Sequence, residues 1–304
     1  MQKLAVLIVS WLLLAVPAAA QELPAPGLAP DHPLYGLDRA LERLHLILTL
    51  DHIKKAELHL QHAEERLAEA WTMAEINRTD LLQRLCESYE SDLNRSAEIA
   101  AAAERVGRNI TALSERITLA TSHHLEVLEA VLEKVPEQAK PAIERALNVS
   151  VKGRERALGA IMKVSPDRIV ELQLSFVERC SAKALEASNR TKAELAKRWA
   201  SRCQQAFNYS HAAIEKAEKL GLDVAELAER IADATTRHLR VLQEVHKAVP
   251  EQAKPAIERA LNVSVAGQEK VLEKLEEIAP AKAEKIVAEL PAEIEEIRKR
   301  IGIR

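Results

Sequence analysis

Aromatic side chains make up only 3 % of the 304 residues, and the chain holds just 8 glycines and 3 cysteines. Strands draw on aromatic and β-branched residues and tight turns draw on glycine, so this scarcity disfavours sheets. Alanine, leucine and glutamate dominate instead, the usage of long helices. Neither sign of charge prevails, with 43 Lys plus Arg against 46 Asp plus Glu and a net charge of −3. No basic run with interleaved aromatics stands apart, so the chain lacks the cationic face that nucleic-acid binding requires. Motifs of catalysis are missing as well: no glycine-rich phosphate loop, no nucleophile elbow and no His-Glu-x-x-His. Their absence points away from an enzyme, and without a Cys-x-x-Cys-His there is no covalent haem and no expected cofactor.

The only long apolar run, Leu4 to Val16, follows Lys3 and precedes Pro17 and Ala18-Ala19-Ala20. Residues 1–20 therefore read as a signal peptide cleaved before Gln21, the alternative being an uncleaved anchor. No cysteine follows the site, so no lipoprotein anchor is expected. No later stretch is apolar enough to span a bilayer, which leaves the mature chain without a transmembrane span. Residues 21–32, with Pro24, Pro26 and Pro30, read as an extended spacer. The core is expected to begin at Pro33-Leu34-Tyr35.

What is present in abundance is repetition. Val135–Val151 recurs letter for letter as Val249–Val265, a displacement of 114 residues. The same displacement aligns Arg116-Ile117 with Arg230-Ile231, His124-Leu125 with His238-Leu239, and Asn94 with Asn208, with short indels expected between the blocks. Duplication at this period is the mark of a stacked array with atypical ends. The reading divides the chain into unit 1 over residues 33–148, unit 2 over residues 149–262, and a truncated third unit with cap helices over residues 263–304.

Within each unit apolar residues fall alternately three and four apart, as at Ile53, Ala56, Leu60, Ala63, Leu67, Ala70 and Ala74. That spacing lays one stripe along a helix that must be buried against neighbours. Stops and starts come from Gly107 with Asn109, Gly221 with Asp223, and capping boxes at Asp223 with Glu226 and Thr191 with Glu194. Pro136, Pro166, Pro250, Pro280 and Pro291 read as first-turn prolines. The fold class that follows is all-α: tandem duplicated antiparallel bundles of three to four helices per unit, with the third unit as a cap.

All seven asparagines sit in Asn-x-Ser/Thr: Asn77, Asn94, Asn109, Asn148, Asn189, Asn208 and Asn262. Asparagine is thinned out of heat-adapted proteins, whereas a glycan acceptor must keep it. The competing reading is helix caps and turns with accidental hydroxyl neighbours, and Asn109 is a cap by position. Together with abundant Glu, Lys and Arg, the pattern points to a glycosylated extracytoplasmic protein of a heat-adapted organism, in the manner of an archaeon.

Cys180 and Cys203 lie almost equidistant from the turn at residues 189–191, so antiparallel helices would bring them level, either as a disulfide or as two buried thiols. Cys86 is left over, buried or joining chains. His124 and His238 hold the same seam position in the two units, with His123 beside the first. Each reads as a hydrogen-bonded core residue or as the centre of a metal or small-ligand site. His59 and His62 share one helix face, and Glu42 with His45 gives a single Glu-x-x-His, half of what a di-iron bundle needs. The glutamate-rich surfaces read as solvated faces.

The run Pro33-Leu34-Tyr35-Gly36-Leu37-Asp38-Arg39-Ala40-Leu41-Glu42-Arg43, then Ala56-Glu57-Leu58-His59-Leu60 and Ala63-Glu64-Glu65-Arg66-Leu67-Ala68-Glu69-Ala70, resembles the domain-of-unknown-function family 5667 over Asp31 to about Ile76. The resemblance implies a secreted or membrane-tethered helical protein and transfers no functional residue. The expectation is a secreted, N-glycosylated, non-enzymatic protein of the cell envelope, a helical spacer or docking module. Its partner would be a protein or another envelope component, and homo-oligomers are open to it. The alternative is a soluble bundle that binds a metal or small ligand around His124 and His238.

Overall fold

The computed structural model describes residues 23–288, 290 and 292–300. The expected signal peptide and Pro291 lie outside the described residues. Among the described residues eleven helices follow one another: α1 Tyr35–Leu48, α2 His52–Glu75, α3 Thr79–Arg105, α4 Thr111–Lys134, α5 Lys140–Val164, α6 Pro166–Asn189, α7 Ala193–Lys219, α8 Ala225–Ala248, α9 Lys254–Ile278, α10 Pro280–Ala288 and α11 Ala292–Arg300. No strand occurs among the described residues.

Helices α2–α5 and α6–α9 start and stop at positions that differ by 114 throughout, so the duplication carries no insertion and the expected indels are absent. Each unit has four helices. The breaks expected after residues 148 and 262 fall inside α5 and α9. The reason is that the longest identical run marks the start of a unit's fourth helix rather than its boundary. The units open instead with α2, α6 and α10.

The ends are partial copies. Residues 35–48 of α1 stand in register with residues 149–162 of α5, so α1 is half of a fourth helix. Helices α10 and α11 stand in register with the two parts of α6, broken between them.

Within a unit α2 pairs with α3 and α4 with α5 as helical hairpins, while α2 packs on α4 and α3 on α5. Unit 2 repeats the pattern with α6–α9. Between units α4 and α5 pack on α6, and α8 and α9 pack on α10 in the same way. One contiguous apolar core results, drawn chiefly from Leu, Ile, Val and Ala, with Tyr89, Phe176, Trp199 and Phe207 as its large rings. A four-helix unit of this kind leaves one face apolar, which the first helix of the next unit covers.

Left-handed residues close the hairpins. Gly107 (φ +78°) and Gly221 (φ +75°) end α3 and α7, with the next amide reaching back to Ala103 O and Ala217 O. This is the expected glycine stop. Asn77 (φ 57°) and Thr191 (φ 58°) take the same conformation after α2 and α6. Thr191 is therefore a C-terminal cap whose hydroxyl bonds Arg190 O, and its expected capping box with Glu194 does not form. Asp223 accepts from the Ala225 amide and Asn109 from the Thr111 amide, each two residues on, and the Glu226 side of the other box is not used. Pro166 and Pro280 begin helices as expected, whereas Pro136 and Pro250 sit in turns and Pro141 and Pro255 take the first-turn places.

Helix α1 reverses the usual arrangement. Tyr35, Asp38, Arg39 and Glu42 are half-buried, while Leu34, Leu37, Leu41, Leu44 and Leu48 are exposed. The core does not begin at Leu34 as the pattern suggested. Leu44 and Ile47 are 50 % and 70 % exposed, whereas their register partners Leu158 and Ile161 in α5 are at 0 %.

Two kinds of glycine separate in a mutational test. Gly107→Ala and Gly221→Ala each force a Cβ into the left-handed region and should cost about 1–2 kcal/mol in urea unfolding. Gly159 lies in mid-α5 with open space around its Cβ position, so Gly159→Ala should stabilise by about 0.5–1 kcal/mol.

Candidate functional site

The duplicated histidines lie inside separate units. His124 is fully buried, and its Nδ1 lies 2.9 Å from the Tyr89 hydroxyl, which is 2.6 Å from Ser150 Oγ. Ser150 in turn donates to Ala146 O at 2.8 Å. Since the serine proton is committed, the protons run one way: His124 Nδ1–H to Tyr89, Tyr89 O–H to Ser150, Ser150 O–H to the helix carbonyl. Unit 2 builds the same chain from other residues. His238 Nδ1 lies 2.9 Å from Ser181 Oγ, Ser181 lies 3.6 Å from Cys203 Sγ, and the thiol points at Val177 O at 3.8 Å. Cys203 occupies the register position of Tyr89. These histidines are structural termini of buried hydrogen-bond chains, each with Nε2 unpartnered. No group of three metal-ligating side chains gathers around either histidine among the described residues.

Cys180 and Cys203 do face one another, with the thiols in hydrogen-bonding reach. Both are free in the structure, as is Cys86, and all three are buried. Cys203 spends its proton in the His238 chain, and burial pushes the Cys180 thiol well above its usual range.

Polar groups gather where α1 meets unit 1. Arg66, with no exposed side-chain surface, donates to the Tyr35 hydroxyl at 2.9 Å and to Glu42 Oε1 at 2.7 Å, and lies 3.1 Å from Glu69 Oε1. Arg39 pairs with Glu42. Glu69 is 1 % exposed and its carboxyl is raised to about 7, first by desolvation; Arg66 pulls it down and the Glu42 charge pushes it further up. Glu69 and Glu129 are thus buried, contrary to the expectation that the glutamates coat a solvated face. The neighbouring Glu42 binds arginines, which removes the Glu-x-x-His reading with the exposed His45.

Beside this network, His59 and His62 on α2 converge with Asp92 on α3, all three able to offer ligand atoms within 4.8 Å of one another. His59 Nδ1 is 2.9 Å from Asp92 Oδ1. His62 is 4 % exposed, with its ring edge-on to that of His59. Asp92 Oδ2 stands 4.0 Å from Arg39 Nη2, beyond a hydrogen bond. This is the one cluster of metal-ligating side chains among the described residues. The spacing of His59 and His62 along one face was legible, but Asp92, 33 positions away, was not.

The same junction in the middle of the chain is filled differently. Gln173, Phe176 and Ala206 hold the register positions of His59, His62 and Asp92. There Arg154 from α5 donates to Gln173 Oε1 at 2.5 Å and to Ser122 Oγ at 3.0 Å, with its guanidinium 3.9 Å above the Phe176 ring.

The sequons divide in two. Asn77, Asn109 and Asn189 are exposed at turns. Asn94, Asn148, Asn208 and Asn262 lie inside helices, and their hydroxyl partners Ser96, Ser150, Ser210 and Ser264 are all buried. A groove of about 450 Å³ runs between α7 and α9, lined by His211, Glu215, Gly267 and Lys270 among others, with a smaller counterpart between α3 and α5.

Residues 27–138 match the model of a family described as Domain of unknown function (DUF5667). The DUF5667 match runs from the spacer through α4, well past the limit near Ile76 that the opening motifs suggested. It contains the whole Arg66 network and the His59, His62 and Asp92 cluster. No curated protein matches the chain in sequence. Among solved structures, a circular tandem repeat protein with novel repeat topology and enhanced subunit contact surfaces is similar at a TM-score of 0.60 and 16 % identity, over 88 % of this chain. The chain spans 58 % of that protein's length. A DHF58 filament is similar at a TM-score of 0.43 and 21 % identity, over 77 % of this chain and 97 % of that one. The first likeness supports the helical tandem-repeat fold. No described helix is long and apolar enough to cross a membrane.

The buried groups set a pH dependence. Burial lowers His124 to about 3 and His62 and His211 to about 4. Each is neutral when folded and takes up a proton on unfolding below the ordinary histidine value of about 6.5. Their stabilisation is whole above that pH and lost as pH falls toward 4. Glu69 acts in the opposite sense, its contribution present below the ordinary carboxylate value and lost as pH rises through about 7. Three large histidine shifts outnumber the one large carboxylate shift, so unfolding near pH 5.5 takes up protons and stability falls with acid. Urea unfolding at pH 7 and pH 5 should show the lower free energy at pH 5; equal or greater stability at pH 5 contradicts the assignment.

Proposed function

We propose that the chain is a secreted, N-glycosylated, non-enzymatic envelope protein whose stacked units space and dock other components. Support for the glycan comes chiefly from Thr191. A β-branched residue at φ 58° is strained, and glycine or asparagine would relieve it, as Asn77 does at the equivalent turn. Strain kept in place suggests a function that needs it. Thr191 supplies the hydroxyl of the Asn189 sequon, and both residues are exposed. Asn77 and Asn109 are accessible in the same manner after folding. At Asn94, Asn148, Asn208 and Asn262 the buried hydroxyl limits modification to the chain before it folds. Secretion rests on the apolar leader, and the sparing of asparagine outside sequons favours a heat-adapted, archaeal source.

Docking is assigned to α1. Leu34, Leu37, Leu41, Leu44 and Leu48 form an exposed stripe with spacings of three and four, the pattern that packs against another helix. At the register positions of Leu44 and Ile47, α5 and α9 carry Leu158, Ile161, Leu272 and Leu275, all of them buried against a neighbouring helix. A second copy carrying the same stripe meets it about a two-fold axis, as most homo-oligomers do.

Intact mass of the native protein should exceed that of the mature chain by several glycans, and an unmodified mass removes this half of the reading. Thr191→Gly should abolish the glycan at Asn189 while raising stability by about 1 kcal/mol. Light scattering should find a dimer that Leu37→Glu with Leu44→Glu converts to a folded monomer. A wild-type monomer that instead binds phospholipid vesicles through the same leucines would reassign the stripe to a membrane surface.

A further inference from the structure

The first junction differs from the second in chemistry as well as in sequence. Both lie where a fourth-helix segment crosses the first helix of the next unit, α1 on α2 and α5 on α6. The second holds Gln173, Phe176 and Ala206, a set with no second ligand group, and closes around Arg154. At the first, three register positions all carry ligand side chains. The α1 residue in register with Arg154 is Ala40, so no buried guanidinium enters from that position.

We propose that His59, His62 and Asp92 form a binding site for one divalent transition-metal ion of the zinc class. Two imidazoles and one carboxylate are the borderline donor set that such ions prefer over magnesium or calcium, which take oxygen. Their ligand atoms lie within 4.8 Å of one another, so modest side-chain rotation brings all three to the roughly 2 Å bond lengths of a single ion. Three protein ligands leave a further position for water. His59 and His62 are one helical turn apart on α2, which fixes both rings on one face, and α3 delivers Asp92 to the same point.

The ligands are available. No residue donates to or accepts from the His62 ring by hydrogen bond among the described residues, and its ring stands edge-on to that of His59. His59 has one ring nitrogen toward Asp92 and the other without a hydrogen bond. Asp92 Oδ2 is held by nothing closer than Arg39 at 4.0 Å. His59 and Asp92 keep 13 % and 11 % of their side-chain surface exposed, so an ion can enter from solvent. Arg39 is the opposing charge, and its pairing with Glu42 draws it toward the Arg66 side of the cluster.

The repeat itself supplies control substitutions. His59→Gln, His62→Phe and Asp92→Ala each install the residue that unit 2 carries at that register, so the fold has a precedent for all three. The full chain, made unglycosylated and stripped with a chelator, would be titrated with zinc(II) against a chromophoric competitor. One ion per chain should bind, and each variant should weaken it by at least about 100-fold while its helical signal persists. Cobalt(II) in place of zinc should give visible bands that disappear in His62→Phe. Histidine proton signals read the same contact without any variant: cobalt(II) at one equivalent should broaden His59 and His62 before His45 or His246. Absence of 1:1 binding, or binding that the variants leave unchanged, overturns the site. Because the assay needs neither glycan nor dimer, its failure leaves the envelope reading untouched.

Discussion

Burial of charge at the junction between units is the constraint on which the rest of the structure depends. Glu129 of α4 is 2 % exposed and is gripped by Arg198 at 2.9 Å and Arg202 at 2.6 Å, both from α7 of the next unit. Glu115 with Arg168, Glu126 with Arg179 and Glu133 with Lys192 extend the same line from unit 1 to unit 2. A buried carboxylate is tolerable only when its partners are complete, so these pairs fix one register of stacking among the many that two apolar faces would allow. The apolar core supplies cohesion and the ions supply alignment. Both ends obey the same rule, with Arg66 holding Glu42 at the first and Arg298 holding Glu269 at 2.5 Å at the last.

The two units show how much chemistry can change while the frame stays still. Tyr89 and Ser150 in one, and Ser181 and Cys203 in the other, end on a helix carbonyl and begin on a buried histidine. What is preserved is the one-way run of protons from the buried histidine to a helix carbonyl. Divergence is freer at the junction, where buried Arg154 on Phe176 and the exposed-edge histidines of α2 are two solutions to the same space.

The architecture was largely legible because its determinants are local. Alternating apolar positions mark the long helices, and Gly107 and Gly221 mark the hairpin ends that need a left-handed residue. Other features were hidden for identifiable reasons. Asn77 and Thr191 adopt that same conformation without being glycine, so composition gave no sign of it. Glu69 and Glu129 look like surface residues to any pattern that counts glutamate as polar, because their burial depends on arginines that another helix supplies. The approach of Cys180 and Cys203 was legible in their equal distance from the turn, whereas the contact of Cys203 with Ser181 of the His238 chain was not. Helix α1 misled most, because its leucines look like core while its charged side is the one that docks.

The identical runs Val135–Val151 and Val249–Val265 occupy the same turn and the same helix of their respective units. Splicing the chain from one run to the other would remove or add one whole quartet of helices while leaving the turn and the start of the fourth helix unaltered in sequence. The protein is in this sense a ruler graduated in quartets: its length can change by whole steps that keep the helix register, with α1 at one end and the α10–α11 pair at the other.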